Sequence, residues 1–248
     1  MIPSLRAHLT RSLSLMSVRL VLASALLAPP VLALASGLAF DPGAPSSASF
    51  PIEAHGFETA GLGQPLVVLL AALVAGSDTA SGALRTILLA TPRRGAVVGP
   101  VIVVVAALGA LIGLVATASA VIVKQSVIGS AGLSLDRFTT GMAWNLLGVA
   151  VNYALIAILA ASITLIARSI VATLVILVPL VLGIGISLLG AVPLLRFLPD
   201  LAGMQLLTPY PGVGLLDPIP GGLVMALWAG AAATIAGLWF SRRDVGTE

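Results

Sequence analysis

Long apolar runs without any charged residue dominate the pattern of this chain. Six such runs cover residues 20–40, 59–77, 95–123, 138–167, 169–195 and 218–241. Each has at least about 19 residues, enough for an α-helix to cross a hydrocarbon core of ~30 Å at ~1.5 Å per residue. The stretch VIVVVAALGALIGLV at 101–115 does not alternate apolar and polar residues, as a β-barrel strand would. The pattern predicts an all-α, polytopic membrane protein, one transmembrane domain over residues 1–248, with six spans at about 18–40, 61–77, 96–122, 140–166, 170–190 and 220–240.

Composition agrees with this prediction and excludes several kinds of site. Of the 248 residues, 59% are hydrophobic and 8% are charged, whereas a soluble domain has roughly 25% charged residues. The chain has no cysteine, which excludes disulfides, Cys-ligated metals and a thiol nucleophile. His8 and His55 lie in different flanks, so we expect no histidine metal site. No basic cluster carries interleaved aromatic residues, so we expect no nucleic-acid partner.

The distribution of arginine and lysine predicts the orientation of the spans. With the N-terminus inside the cell, nine basic residues lie in cytoplasmic segments, and the other three, Lys124, Arg137 and Arg196, lie outside. Six of the nine acids, among them Asp200, then also lie outside. Six spans then place both termini in the cytoplasm of a multi-pass protein of the cell membrane. A competing interpretation treats residues 1–35 as a cleaved signal peptide ending in ALA at 33–35. Its basic region is long, Pro29 and Pro30 interrupt its apolar stretch, and cleavage would leave five spans.

The predicted spans lack the groups that membrane enzymes and ion-coupled carriers use. They contain no Asp, Glu, Lys or His away from their ends, which disfavours a secondary carrier and an intramembrane enzyme. Ser119, Ser162 and Thr164 have no His or acid in the same span, so we expect them to bond preceding carbonyls or to pack between helices. The single lysine, Lys124, follows no Gly-rich turn, so the chain has no Walker A site. We therefore predict a non-catalytic chain without a cofactor of its own.

The most polar intramembrane cluster is Asn145, Asn152 and Tyr153. Asn145 and Asn152 are seven residues apart and lie near one helix face. That face could line a pathway or join helices by hydrogen bonds, and the sequence does not decide between these alternatives. Glycine pairs at Gly109 and Gly113, and at Gly183 and Gly185, predict close helix approach or a kink.

The segment 199–222 is rich in Pro and Gly, yet its residues 201–216 carry no charge. Broken backbone is tolerated at membrane depth only where protein or water satisfies it. We interpret the segment as a short re-entrant or interfacial element before the last span. The alternative is a plain surface loop.

A basic, amphipathic stretch, GALRTILLATPRRG, lies between the second and third spans at 82–95. Its first part, 82–90, predicts a short helix with Leu84, Ile87 and Leu88 on one face and Arg85 elsewhere. Asp78 precedes this helix, and Pro92 ends it ahead of Arg93 and Arg94. The stretch is either an interfacial helix with a positive flank or an element that a cytoplasmic partner grips by its apolar face.

Three stretches stand out in order along the chain: SDTASGALRTILLATPRRGAVVG (77–99), RFLPDLAGMQLL (196–207) and LWFSRRDV (238–245). In this order, and with six spans, they resemble ABC-2 type ABC transporter permeases. Two features depart from the family pattern. Asp78 stands where Glu is more usual, and the basic residue often found near the start of the third span is absent.

The resemblance implies a function that composition does not show. It implies a permease dimer, like or unlike, bound to cytosolic ABC ATPase subunits that hold ATP and Mg, and export of an amphiphile such as a lipid, glycolipid, peptide antibiotic or drug. Asp78, Arg85, Pro92, Arg93 and Arg94 would face the ATPase, and Pro199, Ala202 and Gly203 would lie near an outer gate. The alternative is a non-transport scaffold or immunity protein without an ATPase partner.

Overall fold

The computed structural model describes residues 2–41, 51–80, 95–129, 132–134, 137–207 and 214–242. These residues form α-helices and short 3-10 turns, and no β-strand occurs among them. In chain order, the α-helices are α1 (Ile2–Ser14), α2 (Met16–Leu38), α3 (Thr59–Ala80), α4 (Gly95–Val127), α5 (Thr140–Ala167), α6 (Ile170–Val181), α7 (Ile184–Leu189), α8 (Pro199–Leu207) and α9 (Pro218–Arg242).

Five helices of the described chain, α2, α3, α4, α5 and α9, are long and apolar enough to cross a membrane. Their bounds lie close to five of the predicted spans; α5, for example, covers the predicted span 140–166. The expectation of a polytopic helical membrane protein is confirmed at this level. The number of six spans and the cytoplasmic position of both termini stay predictions.

The predicted span at 170–190 is not one continuous helix. Helix α6 ends at Val181 and α7 begins at Ile184. Gly183 between them has a φ of 96°, a left-handed conformation that a side chain would resist. At 12 residues, α6 is ~18 Å long, shorter than the ~30 Å hydrocarbon core. The run is apolar throughout, but the break at Gly183, four residues after Pro179, ends the helix that charge counting alone predicted.

Helix α5 forms the centre of the bundle and packs against α3, α4 and α9. Its contact with α4 is close because glycines face its backbone. A Cβ added to Gly109 would lie 2.5 Å from the carbonyl oxygen of Tyr153, and one added to Gly113 would lie 2.9 Å from Cα of Ala150. Gly109 and Gly113 therefore permit the close approach that the sequence suggested.

The hydroxyl groups inside the spanning helices bond locally. Ser119 Oγ donates to Val115 O at 2.8 Å and Ser162 Oγ donates to Ile158 O at 2.7 Å. Thr164 Oγ1 donates to Ala160 O at 2.8 Å. The prediction that these three hydroxyls bond preceding carbonyls is confirmed.

Helix α8 is held between α5 and α9. Pro199, Ala202 and Gly203 are all buried, so residues 199–207 are not a plain exposed loop. Glycines again allow the contact. A Cβ on Gly148 of α5 would lie 2.5 Å from Leu206 O, and one on Gly221 of α9 would overlap Ala202 O. The backbone of α8 therefore packs directly against a glycine of α5 on one side and a glycine of α9 on the other.

Candidate functional site

The residues predicted to couple to an ATPase lie largely beyond the described part of the chain. The backbone of Asp78 belongs to the last turns of α3. Outside the described residues lie Leu84, Arg85, Ile87, Leu88, Pro92, Arg93 and Arg94. Their predicted helix and its apolar face therefore stay predictions from the sequence.

A buried polar junction connects four helices at the level of Asn152. Gln64 Nε2 of α3 donates to Asn152 Oδ1 of α5 at 2.7 Å. Asn152 Nδ2 donates to the carbonyl oxygen of Gly203 in α8 at 2.8 Å and lies 3.6 Å from Met225 Sδ of α9. Asn152 is fully buried, and Gln64 is buried beside it. We call these four residues the polar junction.

These contacts favour the interpretation that Asn152 joins helices by hydrogen bonds. The amide of Asn152 meets protein groups on both sides and has no exposed surface, so it joins helices rather than lining a water-filled path. The adjacent Tyr153 is also fully buried and donates its hydroxyl to Ala60 O of α3 at 2.6 Å. Asn145 is half-buried on α5 and is not part of the junction.

Sequence reasoning found Asn152 but missed its partner Gln64. Gln64 is neutral, so it does not stand out from its apolar span by charge. An amide inside an apolar span also needs a partner, because hydrocarbon offers none. The side-chain amides of the predicted spans are Gln64, Asn145 and Asn152, so Gln64 was recognisable as a candidate partner of either asparagine. The Gly203 carbonyl gives no such signal in the sequence.

Replacing Asn152 with leucine should destabilise the protein by about 1–2 kcal/mol, because the Gln64 amide and the Gly203 carbonyl then stay buried without a partner. The double variant Asn152→Leu/Gln64→Leu should recover part of this loss, since it removes the unpaired Gln64 amide. Thermal unfolding of the four proteins in one detergent gives the coupling energy. Additive losses would show that the Gln64–Asn152 bond contributes nothing.

A charged clamp lies where the C-terminal end of α4 meets α2 and the start of α3. Lys124 Nζ lies 3.3 Å from Glu58 Oε1 and donates to Ser36 Oγ at 2.7 Å. The ammonium also lies 5.9 Å from the centre of the Phe40 ring. The Lys124 side chain is 5% exposed and that of Glu58 is 32% exposed. Lys124 was predicted only as a charge in an outside loop. In the structure it connects α4 with Ser36 of α2 and with Glu58 just before α3.

The neighbouring Gln125 strengthens the same corner through backbone groups. Its Nε2 donates to Ile52 O at 2.9 Å and to His55 O at 3.2 Å, and its Oε1 accepts from Leu133 N at 2.8 Å. Among the described residues, no group of three or more His, Asp or Glu side chains could hold a metal ion. The hydrogen bonds from Gln125 to Ile52 O and His55 O hold the irregular segment before α3 against α4.

Replacing Glu58 with glutamine should destabilise the protein by about 1 kcal/mol, because the buried Lys124 ammonium loses its counter-charge. The loss is smaller than for a fully buried pair because solvent partly screens Glu58. The exposed Glu53 in the same segment offers the control Glu53→Gln, which should change stability by less than about 0.5 kcal/mol. Thermal unfolding at low and high salt would measure both. Equal effects of the two substitutions would contradict the clamp.

Comparison of the chain with known proteins identified no relative. No family model matches the chain, and no curated protein and no solved structure matches it significantly. The description of the chain as a multi-pass helical membrane protein rests on its own apolar helices.

Proposed function

We propose that this chain is the membrane-spanning permease subunit of an ATP-driven exporter of the ABC-2 type. It forms the pathway for an amphiphilic substrate together with a second permease, like or unlike. A separate cytosolic ABC subunit binds ATP and Mg and hydrolyses ATP. The chain itself makes and breaks no covalent bond.

The observation that carries the proposal is the short helix α8 packed inside the bundle just before the last spanning helix. Residues 196–207, which include α8, form one of the three stretches on which the resemblance depends. Helix α8 is buried against α5 and α9 and receives the Asn152 amide on its Gly203 carbonyl. Protein therefore covers this broken segment, the condition under which such a segment is tolerated at membrane depth.

The polar groups of the spanning helices α3 and α5 also agree with ATP hydrolysis on another chain; the buried acid Asp200 lies outside them, in α8. Away from the helix ends, the buried polar groups in α3 and α5 are neutral: Gln64, Asn152, Tyr153, Ser162 and Thr164. Ion-driven carriers place ionisable groups along their pathway. A rigid-body rocking of two permease halves, driven through the 78–94 stretch, needs contacts rather than buried charge.

The experiment that tests the proposal is purification of the tagged chain from its native membranes in a mild detergent. We expect a soluble subunit with a Walker A motif to co-purify in stoichiometric amounts, together with ATPase activity. An unrelated polytopic protein carrying the same tag is the control. If the chain is recovered intact without any nucleotide-binding subunit, the permease assignment is wrong and the scaffold or immunity alternative is favoured.

A further inference from the structure

The carboxyl group of Asp200 is buried in an unusual state. Asp200 lies in the first turn of α8 and is 7% exposed. Within the described part of the chain, neither Oδ1 nor Oδ2 accepts a hydrogen bond. An ionised carboxylate removed from water in this way needs a cation or several donors to offset its lost hydration.

The surroundings of this carboxyl leave little room for a hydrated ion. A Cβ added to Gly185 of α7 would lie 3.0 Å from Asp200 Oδ2 and 3.2 Å from Leu201 Cδ1. The backbone of α7 therefore approaches the carboxyl directly. The absence of a three-ligand acidic or histidine group among the described residues also disfavours a metal ion as the occupant.

No charged side chain on the elements packed against α8 compensates Asp200 within the described part of the chain. Arg196 is exposed and lies over the Phe197 ring at 5.1 Å. Asp217, just before α9, is exposed, and Glu58, just before α3, pairs with Lys124. Other charges on these helices lie 14 or more residues from the polar junction, ~21 Å or more along the axis: Asp78, Arg168 and Arg242.

Burial raises the pKa of Asp200 from its ordinary value of 3.8, and the nearby backbone N–H groups of Leu201 and Asp200 oppose this shift less strongly. We propose that Asp200 is a proton-binding site: the neutral acid is the form that packs between α8 and α7, and loss of its proton loosens this contact. The ligand is a proton because, among the described residues, no cation and only the backbone N–H groups of Leu201 and Asp200 offset the burial of a carboxylate, so the neutral acid fits the site better. The inference holds whether or not the chain is an ABC permease.

Proton binding by Asp200 is linked to folding, and this linkage sets the direction in which stability changes with pH. Above pH 3.8 the unfolded chain has released the Asp200 proton, whereas the folded chain retains it up to its raised pKa. Stability contributed by the neutral acid is therefore fully present below pH 3.8 and is lost as the pH rises through the raised pKa. An asparagine at this position stays neutral throughout and lacks this dependence.

Wild type, Asp200→Asn and the exposed control Asp217→Asn should be compared by thermal unfolding in nanodiscs from about pH 4 to about pH 9. We expect the melting temperature of Asp200→Asn relative to wild type to rise by about 3 °C for each pH unit within the window. Asp217→Asn should follow wild type. Parallel profiles of wild type and Asp200→Asn would overturn the proposal, as would a profile that changes when sodium is replaced by a large organic cation.

An infrared measurement tests the same site without relying on a variant that folds. As the pH rises from about 3 to about 7, wild type carrying carbon-13 aspartate should keep the carbonyl band of one neutral aspartic acid after its exposed aspartates have ionised. The band should be lost in Asp200→Asn if that variant folds. A labelled wild type without this band would show that Asp200 is ionised and would overturn the proposal.

Discussion

Under the proposed permease function, replacing Leu84, Ile87 and Leu88 together with alanine is expected to abolish stimulation of the partner's ATP hydrolysis while the chain still inserts. The three side chains share one face of the helix predicted at 82–90. Burying one leucine or isoleucine side chain contributes about 1.5–3 kcal/mol. Loss of all three would weaken docking by roughly 4 kcal/mol or more, about a thousandfold in affinity. ATPase activity of the purified complex in nanodiscs, with and without substrate, measures the effect.

The opposite face of the same stretch supplies a matched control. Thr86 and Leu89 lie about 145–155° around the helix from the apolar face, so Thr86→Ala/Leu89→Ala should leave stimulation unchanged. The chain has no native cysteine, so Ser81→Cys reports the side of the membrane on which the stretch lies. Unchanged stimulation in the triple variant, or labelling of Ser81→Cys from outside intact cells, would refute coupling through this stretch.

The spanning helices could be predicted closely because one physical constraint dominates them. Backbone groups in hydrocarbon must bond within their own helix, so long charge-free runs fold as helices. The predicted span 140–166 corresponds to Thr140–Ala167, and the predicted span 96–122 corresponds to Gly95–Val127. The same criterion failed at 170–190, because absence of charge says nothing about the left-handed Gly183 that ends the helix.

The candidate site could be predicted only in part, because most of its contacts join distant parts of the chain. Asn152 was recognisable as a polar group in an apolar span, but Gln64 lies 88 residues away in sequence. The third partner is a backbone carbonyl of Gly203, which any residue could supply. Asp200 looked like an ordinary outside acid, and only the packing of α7 and α8 reveals its burial.

Replacing Gly221 with valine is expected to destabilise the protein by about 3 kcal/mol or more and to release α8 from the bundle. A Cβ at Gly221 would overlap the carbonyl oxygen of Ala202, which is fixed backbone and not the movable end of a side chain. Overpacking of a filled site costs typically about 1–3 kcal/mol. Displacement of Ala202 also moves Gly203 away from Asn152 Nδ2, so the hydrogen bond of the polar junction is lost in addition.

Gly230 provides the control for this substitution on the same helix. A Cβ there meets no atom within 4 Å, so Gly230→Val should change stability by less than about 1 kcal/mol. Thermal unfolding and amide hydrogen exchange, read at α8, distinguish the two variants. Because Gly221 and Asn152 act on adjacent residues of α8, their losses should combine to less than their sum. If Gly221→Val matched Gly230→Val in stability and in protection of α8, close packing of α9 on α8 would not hold this segment in the bundle.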